Sequence, residues 1–168
     1  MSVTIIATVG ATNSNSYCTL TEADTYHEER LHVDDWDNAG SNEKNSALVW
    51  ATRILDEQVD WDGYKRSDAQ ALRWPRSYVY DTDGYPIDSS TIPQWLKNAT
   101  AELARNLITG DRTLDTNYDT KGFKSIQIGD LKMVMDTYTG KAVIPKSVWS
   151  IIKPYCKKIG KQKTLVRM

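Results

Sequence analysis

The stretch that most restricts the fold is residues 71–104, ALRWPRSYVYDTDGYPIDSSTIPQWLKNATAELA. Its first proline fixes φ and forces the preceding tryptophan into an extended conformation. The arginine that follows has the geometry to bind a carboxylate or the carbonyls at a helix end. An Asp-Gly pair then predicts a chain reversal, and a second proline suits the first turn of a helix. Each device restricts the backbone and none supplies a reactive group, so we predict a structural corner made of Trp74, Pro75, Arg76, Asp83, Gly84 and Pro93.

Apolar residues recur at helical spacing on both sides of this corner. Thr19 and Glu22 have the spacing of a capping box, which predicts a helix to about Leu31. A second helix, capped by Ser41, is predicted over residues 41–58, where one apolar stripe faces the core. Residues 93–110 and the segment after Pro145 predict two more helices.

One segment carries the pattern of a β-hairpin. KGFKSIQI and LKMVMD are separated by Gly129-Asp130, which fits a two-residue turn and predicts a hairpin at about 122–136. An isolated two-stranded ribbon is marginally stable, so its apolar residues are predicted to be covered partly by the chain's own helices and otherwise by a neighbouring subunit or another protein. These residues are Ile126, Ile128, Leu131, Met133 and Met135.

The predicted fold class is mostly α (α+β), a small helical bundle with one β-hairpin. At 168 residues the chain has the size of one domain. We expect an extended N-terminal arm over residues 1–16, a single helical domain over 17–156 and a flexible basic tail over 157–168. The start, MSVTIIATVG, lacks the basic region typical of a signal peptide. Two distant cysteines without metal-binding spacing favour synthesis in a reduced, cytoplasmic setting.

Charge is distributed unevenly along the chain. Residues 1–136 hold 13 bases and 22 acids, a net charge of −9, whereas residues 137–168 hold eight bases and no acid. Such asymmetry indicates that the basic end contacts something acidic, and a solvated tail is the equal alternative. If the segment orders on a partner, the contact residues are predicted to be Lys157, Lys158, Lys161, Lys163, Leu165, Val166 and Arg167.

The sequence provides little for catalysis. His27 and His32 are five positions apart, which on a helix places them about 140° apart around the axis. No hydrolase, phosphate-loop or zinc-protease motif is present. We therefore expect no enzymatic activity, no metal site and no cofactor, with a small metal-dependent enzyme kept as a third alternative.

Aromatic residues are numerous, with six tryptophans and nine tyrosines against one phenylalanine. A single-strand binder pairs exposed aromatic rings with a positive groove. The body of this chain is acidic and repels phosphates, so we expect weak affinity for single strands, arising from the basic end. Packing is the expected role of the tryptophans.

The corner residues also carry a family resemblance. The pattern Ala71-Leu72-x-Trp74-Pro75-Arg76, with Tyr80-Asp81-x-Asp83-Gly84, Ile92-Pro93 and Ala99-Thr100-x-Glu102-Leu103-Ala104, resembles a family of tailed-phage proteins. Its members are often labelled "putative DnaT-like single-stranded DNA-binding protein". SNSYCTLTEADTYHEERL and SALVWATRILDEQVDWDGYK resemble the first two helices of that family. The resemblance extends over roughly residues 14–156.

Members of this family are similar to the helical head–tail adaptors that form a ring beneath the phage portal. The resemblance therefore implies a structural virion protein, a head–tail connector (adaptor or head-completion protein) located at the head–tail interface and made in the host cytoplasm. Its implied partners are other copies in a ring, twelvefold by resemblance, the portal protein and a tail or tail-terminator protein. Non-specific contact with packaged DNA in the channel is included, and a membrane is not. The alternative is a single-stranded DNA-binding accessory protein of phage replication.

Overall fold

The structure, a computed structural model, describes residues 2–114, 125–128, 131–134 and 142–158. Within these ranges the predicted mostly helical α+β fold is confirmed. The helices are α1 (Leu20–Glu28), α2 (Asp34–Asp37), α3 (Ser41–Gln58), α4 (Gln94–Ile108) and α5 (Lys146–Ile152). The strands are β1 (Val59–Trp61), β2 (Tyr64–Lys65), β3 (Arg76–Ser77), β4 (Ser125–Ile128), β5 (Leu131–Val134) and β6 (Cys156–Lys158), and a 3-10 turn covers Lys153–Tyr155.

Helix α4 is the centre of the core, where it packs against α3, α5 and α1. Its stripe places Leu96 and Leu103 in the interior, and the stripe of α3 adds Leu48 and Leu55, all fully buried. Truncating one such leucine to alanine costs about 2–5 kcal/mol, so this apolar contact determines where the surface loops are held.

The helix boundaries follow the predicted signals with small shifts. The capping box is present, since the Thr19 hydroxyl accepts from the Glu22 amide and the Glu22 carboxylate accepts from the Thr19 amide. Helix α1 ends at Glu28, before the predicted Leu31. Helix α3 spans the predicted residues, but Gly40 rather than Ser41 occupies its N-cap.

Three two-stranded sheets complete the described fold. β4 pairs with β5 in the predicted hairpin, with Ile126 opposite Met133 and Ile128 opposite Leu131. Met135 lies outside the described residues. The other two sheets have no strong local signal: β1 pairs with β6, and β2 pairs with β3.

The two chain ends differ from the expectation in detail. In the N-terminal arm the Val3 amide donates to Asn42 Oδ1 at 2.8 Å, so the arm lies against α3. The sequence predicts a tail that begins at residue 157, but Lys157 and Lys158 belong to β6, opposite Asp60 and Val59. The paired part of the chain therefore extends through both lysines, and residues 159–168 lie outside the described ranges.

None of the helices in the described ranges combines the length and apolar character needed to cross a membrane.

Candidate functional site

The corner is packed around Trp74. Its ring is 1 % exposed and meets Trp61 and Trp95 edge-on, with centroids 5.9 and 5.3 Å apart. Trp95 in turn stacks on Tyr155 at 4.1 Å with an interplanar angle of 7°. Trp74 is thus part of the hydrophobic core, consistent with the packing role expected for the tryptophans.

Arg76 fastens the corner to the loop after β1. Its guanidinium donates to the carbonyls of Asp62 at 2.6 Å, Trp61 at 3.1 Å and Gly63 at 2.5 Å. A fourth bond reaches the Arg73 carbonyl at 3.3 Å. Burial, and then the nearby Arg73 charge, lower the pKa of Arg76 from its usual value. The guanidinium binds carbonyls, one of the two partners predicted, but those of a strand and its following loop rather than of a helix end.

A half-buried acid ties the same segment to α3. The Asp56 carboxylate accepts from the Arg73 amide at 3.1 Å and from the Tyr17 hydroxyl. Burial, followed by the charge of Asp56, raises the pKa of Tyr17 well above its usual value, so this phenol remains a donor at neutral pH. The segment that enters β3 is therefore attached to the body at several points.

Four tyrosines lie beside this anchored corner with their rings in water. Tyr64, Tyr78, Tyr80 and Tyr85 are 73, 76, 55 and 70 % exposed, and they are four of the seven large hydrophobic residues exposed in the described ranges. An exposed large aromatic group is more informative than an exposed small one, because burying it stabilises a complex more strongly. These four tyrosines are the most distinctive surface feature.

Tyr64 and Tyr78 form a pair whose ring centroids are 6.3 Å apart in an edge-to-face arrangement. β2 and β3 bring them together, since Tyr64 lies opposite Ser77, the residue before Tyr78. Tyr78 has a φ of +60°, a left-handed conformation that is unusual for a side chain of this size. Gly63 makes the approach possible, because a Cβ at that position would lie 2.2 Å from the Ser77 carbonyl oxygen.

Tyr80 and Tyr85 lie in the next loop. Tyr80 forms an isolated antiparallel bridge with Pro86, and the Asp81 amide donates to the Tyr85 carbonyl at 2.8 Å. The Asp81 carboxylate accepts from the amides of Asp83 and Tyr85, and Gly84 follows in a left-handed conformation with φ of +87°. The chain therefore reverses at Asp83-Gly84, where the sequence predicts a turn.

The two segments that carry these tyrosines have opposite net charges along the sequence. Residues 64–78 contain four bases and one acid, a net charge of +3, whereas residues 79–91 contain three acids and no base, a net charge of −3. We call Tyr64 and Tyr78, with the flanking Lys65, Arg66 and Arg73, the basic tyrosine pair. We call residues 79–91, which include Tyr80, Tyr85, Asp81, Asp83 and Asp88, the acidic loop.

The other predicted contact residues lie elsewhere. Lys157 is exposed on β6, and Lys161, Lys163, Leu165, Val166 and Arg167 are outside the described residues. Pro93 is the N-cap of α4 rather than a residue of its first turn. The predicted subunit contacts of the β4–β5 hairpin stay predictions.

The tyrosines were not singled out from the sequence, although four of them cluster within 22 positions of a turn-rich segment.

The two histidines do not meet. His27 is buried with Nε2 3.2 Å from the Ala101 carbonyl, and burial lowers its pKa to about 4. His32 is exposed and has a φ of +60°. Across the ranges that the structure describes, no group of three or more metal-binding side chains comes together.

Exposed aromatic rings beside cations, held on a small helical body, are typical of a binding module. The chain belongs to the family described as "Putative DnaT-like ssDNA binding protein", whose model matches residues 1–168. That description names single-stranded DNA and does not mention virion assembly. No curated protein and no solved structure shows significant similarity to the chain.

Proposed function

We propose that the protein binds single-stranded DNA through the basic tyrosine pair. The observation that carries the proposal is the pair itself: two largely exposed rings in mutual contact, set in a segment of net charge +3. Unpaired bases stack on such rings, each contributing about 1–3 kcal/mol, whereas bases inside a duplex are not accessible to them. The description of the family supports this choice over a duplex.

Phosphate contacts in this proposal come from the cations around the pair. Arg66 and Arg73 are exposed, and neither side chain forms an ion pair with another described residue. The Lys65 ammonium donates to the Gln70 carbonyl at 2.9 Å. Three cations predict a modest salt dependence, with a slope of about −2 in log K against log salt for a single strand. The proposal thus assigns the DNA contact to this segment and not to the basic end, which the sequence alone favours.

The test is a fluorescence anisotropy titration with a labelled oligothymidylate of about 20 nucleotides, longer than the ~4–16 nucleotides that one small binding module covers. Tyr64→Ser and Tyr78→Ser should each weaken binding about 5- to 150-fold, the equivalent of ~1–3 kcal/mol. The matched control is Tyr80→Ser with Tyr85→Ser, which should change affinity less than about twofold because neither ring touches DNA in the proposal. Equal losses in both variants, or no binding by the wild-type chain at low salt, would contradict the proposal.

Arg66→Gln and Arg73→Gln together address the phosphate contacts. Removing two of three cations should reduce the salt slope by about 1.4 while the tyrosine variants leave it nearly unchanged. A slope unaffected by the arginine variants would assign the phosphate contacts to another part of the chain.

A second candidate function is the head–tail connector of a tailed phage, a non-enzymatic ring in the virion between the portal and the tail. The observation that favours it is that one chain carries both an acidic aromatic surface and a basic terminal segment, which suits self-association. Electron microscopy of the purified protein and of phage particles is the test. Rings at the head–tail interface would favour the connector, and a monomer that binds only DNA would exclude it.

A further inference from the structure

The acidic loop is a second surface with its own chemistry. Tyr80 and Tyr85 are exposed, as are Asp83 and Asp88, and no base lies within residues 79–91. Among the described residues none of the loop's three aspartates forms an ion pair. Aromatic faces and carboxylates together attract lysine and arginine, through cation–π contact and through charge. The same carboxylates repel phosphate, so the loop suits a cationic peptide rather than DNA.

One basic segment of suitable composition belongs to the chain itself. Residues 159–168, IGKQKTLVRM, contain Lys161, Lys163 and Arg167 and no acidic side chain, a charge of +3 against the −3 of the acidic loop. Leu165 and Val166 add apolar groups of a kind that packs on tyrosine rings. We propose that this segment of one copy docks on the acidic loop of a second copy.

The direction of β6 favours a second copy over the same molecule. The Asp62 amide donates to the Tyr155 carbonyl, and Tyr155 lies near the acidic loop, since the charges of Asp81 and Asp83 add to the burial that raises its pKa. From there β6 runs antiparallel to β1, from Cys156 opposite Trp61 to Lys158 opposite Val59. The chain therefore leaves Lys158 heading away from its own acidic loop.

Such a contact joins two different surfaces, so each copy would donate a tail and accept one. Repeated head-to-tail contacts of this kind close into a ring or extend into a filament. The inference does not depend on DNA binding, because it uses the acidic loop and not the basic tyrosine pair. In the two proposals together, the basic tyrosine pair binds DNA and the acidic loop binds the tail of another copy.

Sedimentation velocity on the full chain, without DNA, tests the contact at ~0.05 M and ~0.5 M salt, where charge screening differs strongly. The wild-type protein should associate at low salt and dissociate at high salt. Two variants should remain monomeric: one lacking residues 159–168, and one carrying Asp83→Lys and Asp88→Lys. The matched control reverses the charge of two exposed acids outside the loop, with Asp35→Lys and Asp68→Lys, and should associate like the wild type.

Mixing the two monomeric variants is the decisive step. The tail-deleted chain keeps an intact acidic loop and the loop variant keeps an intact tail, so together they should form a one-to-one dimer that grows no further. A mixture that stays monomeric, or a wild-type chain that is monomeric at every concentration, overturns the proposal. Association of the control variants at wild-type strength, with unchanged thermal unfolding of the loop variant, shows that charge at the loop is responsible. Equal loss in the control would also overturn it.

Discussion

The basic tyrosine pair and the acidic loop both present two exposed tyrosines, but they differ in how they are attached to the body. In the segment of the pair, Arg76 binds three carbonyls at the end of β1 and in the loop after it, and the Asp56 carboxylate accepts from the Arg73 amide. The acidic loop is held chiefly by bonds within itself, such as those that its Asp81 carboxylate accepts. The first surface is fastened to other parts of the body by side-chain hydrogen bonds, and the second mainly by hydrogen bonds within its own loop.

This difference indicates that the residues around an exposed tyrosine determine which ligand it binds. A ring whose backbone is fixed loses little conformational freedom when a base stacks on it, so anchoring favours affinity for a flexible ligand. A ring surrounded by carboxylates favours a cationic ligand, whatever its own geometry. The comparison can be tested by variants that act on one surface and leave the other intact.

The largest loss of folding stability is expected on substitution of Trp74, in the segment that carries the basic tyrosine pair. Trp74→Ala removes a buried ring that contacts Trp61 and Trp95 and should lower the free energy of unfolding by about 3–5 kcal/mol. Tyr80→Ser, on the acidic loop, should change it by less than about 0.5 kcal/mol. Urea unfolding followed by tryptophan fluorescence measures both. If Trp74→Ala proves as mild as Tyr80→Ser, the corner is not what anchors the pair.

Two glycines provide a matched test of the same contrast. Gly63 and Gly84 both have left-handed backbones, with φ of +70° and +87°. A Cβ at Gly63 would meet the Ser77 carbonyl oxygen and the Val79 side chain, whereas one at Gly84 would meet nothing within 4 Å. Gly63→Ala therefore adds crowding to backbone strain, and we expect a loss of about 2–4 kcal/mol.

Gly84→Ala has strain alone, which predicts a loss of about 1–2 kcal/mol. Thermal unfolding of both variants gives the difference directly. Equal losses would mean that β3 can move away from Gly63, and the tight approach that positions Tyr78 would lose its importance.

Much of the fold could be predicted because its signals are local. The capping box at Thr19 and the α3 stripe depend on residues within one or two turns, and both are present in the structure. The pairing of β1 with β6 joins residues almost 100 positions apart and leaves no periodic pattern in segments of three residues. No local rule could have identified that sheet, or moved the predicted tail boundary beyond Lys158.

The candidate site was harder to predict for a related reason. The tryptophans are expected to pack, and Trp36 and Trp74 are indeed buried. The exposed rings belong to tyrosines in a short loop-rich segment, where exposure depends on how the corner packs. Charge counted over 136 residues also concealed the change of sign between residues 64–78 and 79–91. Net charge counted over shorter stretches of sequence, together with the spacing of the tyrosines, is the signal that would have identified both surfaces.

The smallest expected difference in stability comes from the backbone conformation of Tyr78. Tyr78→Asn and Tyr78→Ser both remove the ring and its contact with Tyr64, so both should weaken single-strand binding alike. They differ in conformation, because asparagine tolerates a φ of +60° better than most residues do. Tyr78→Asn should therefore be more stable than Tyr78→Ser by about 0.5–1 kcal/mol in urea unfolding, part of the ~1–2 kcal/mol cost of a left-handed backbone. The same pair of substitutions at Tyr80, which is not in that conformation, should differ by less than a few tenths of a kcal/mol. Equal stabilities at position 78 would show that the strain is relieved when the ring is lost, and that the aromatic contact itself holds the backbone in place.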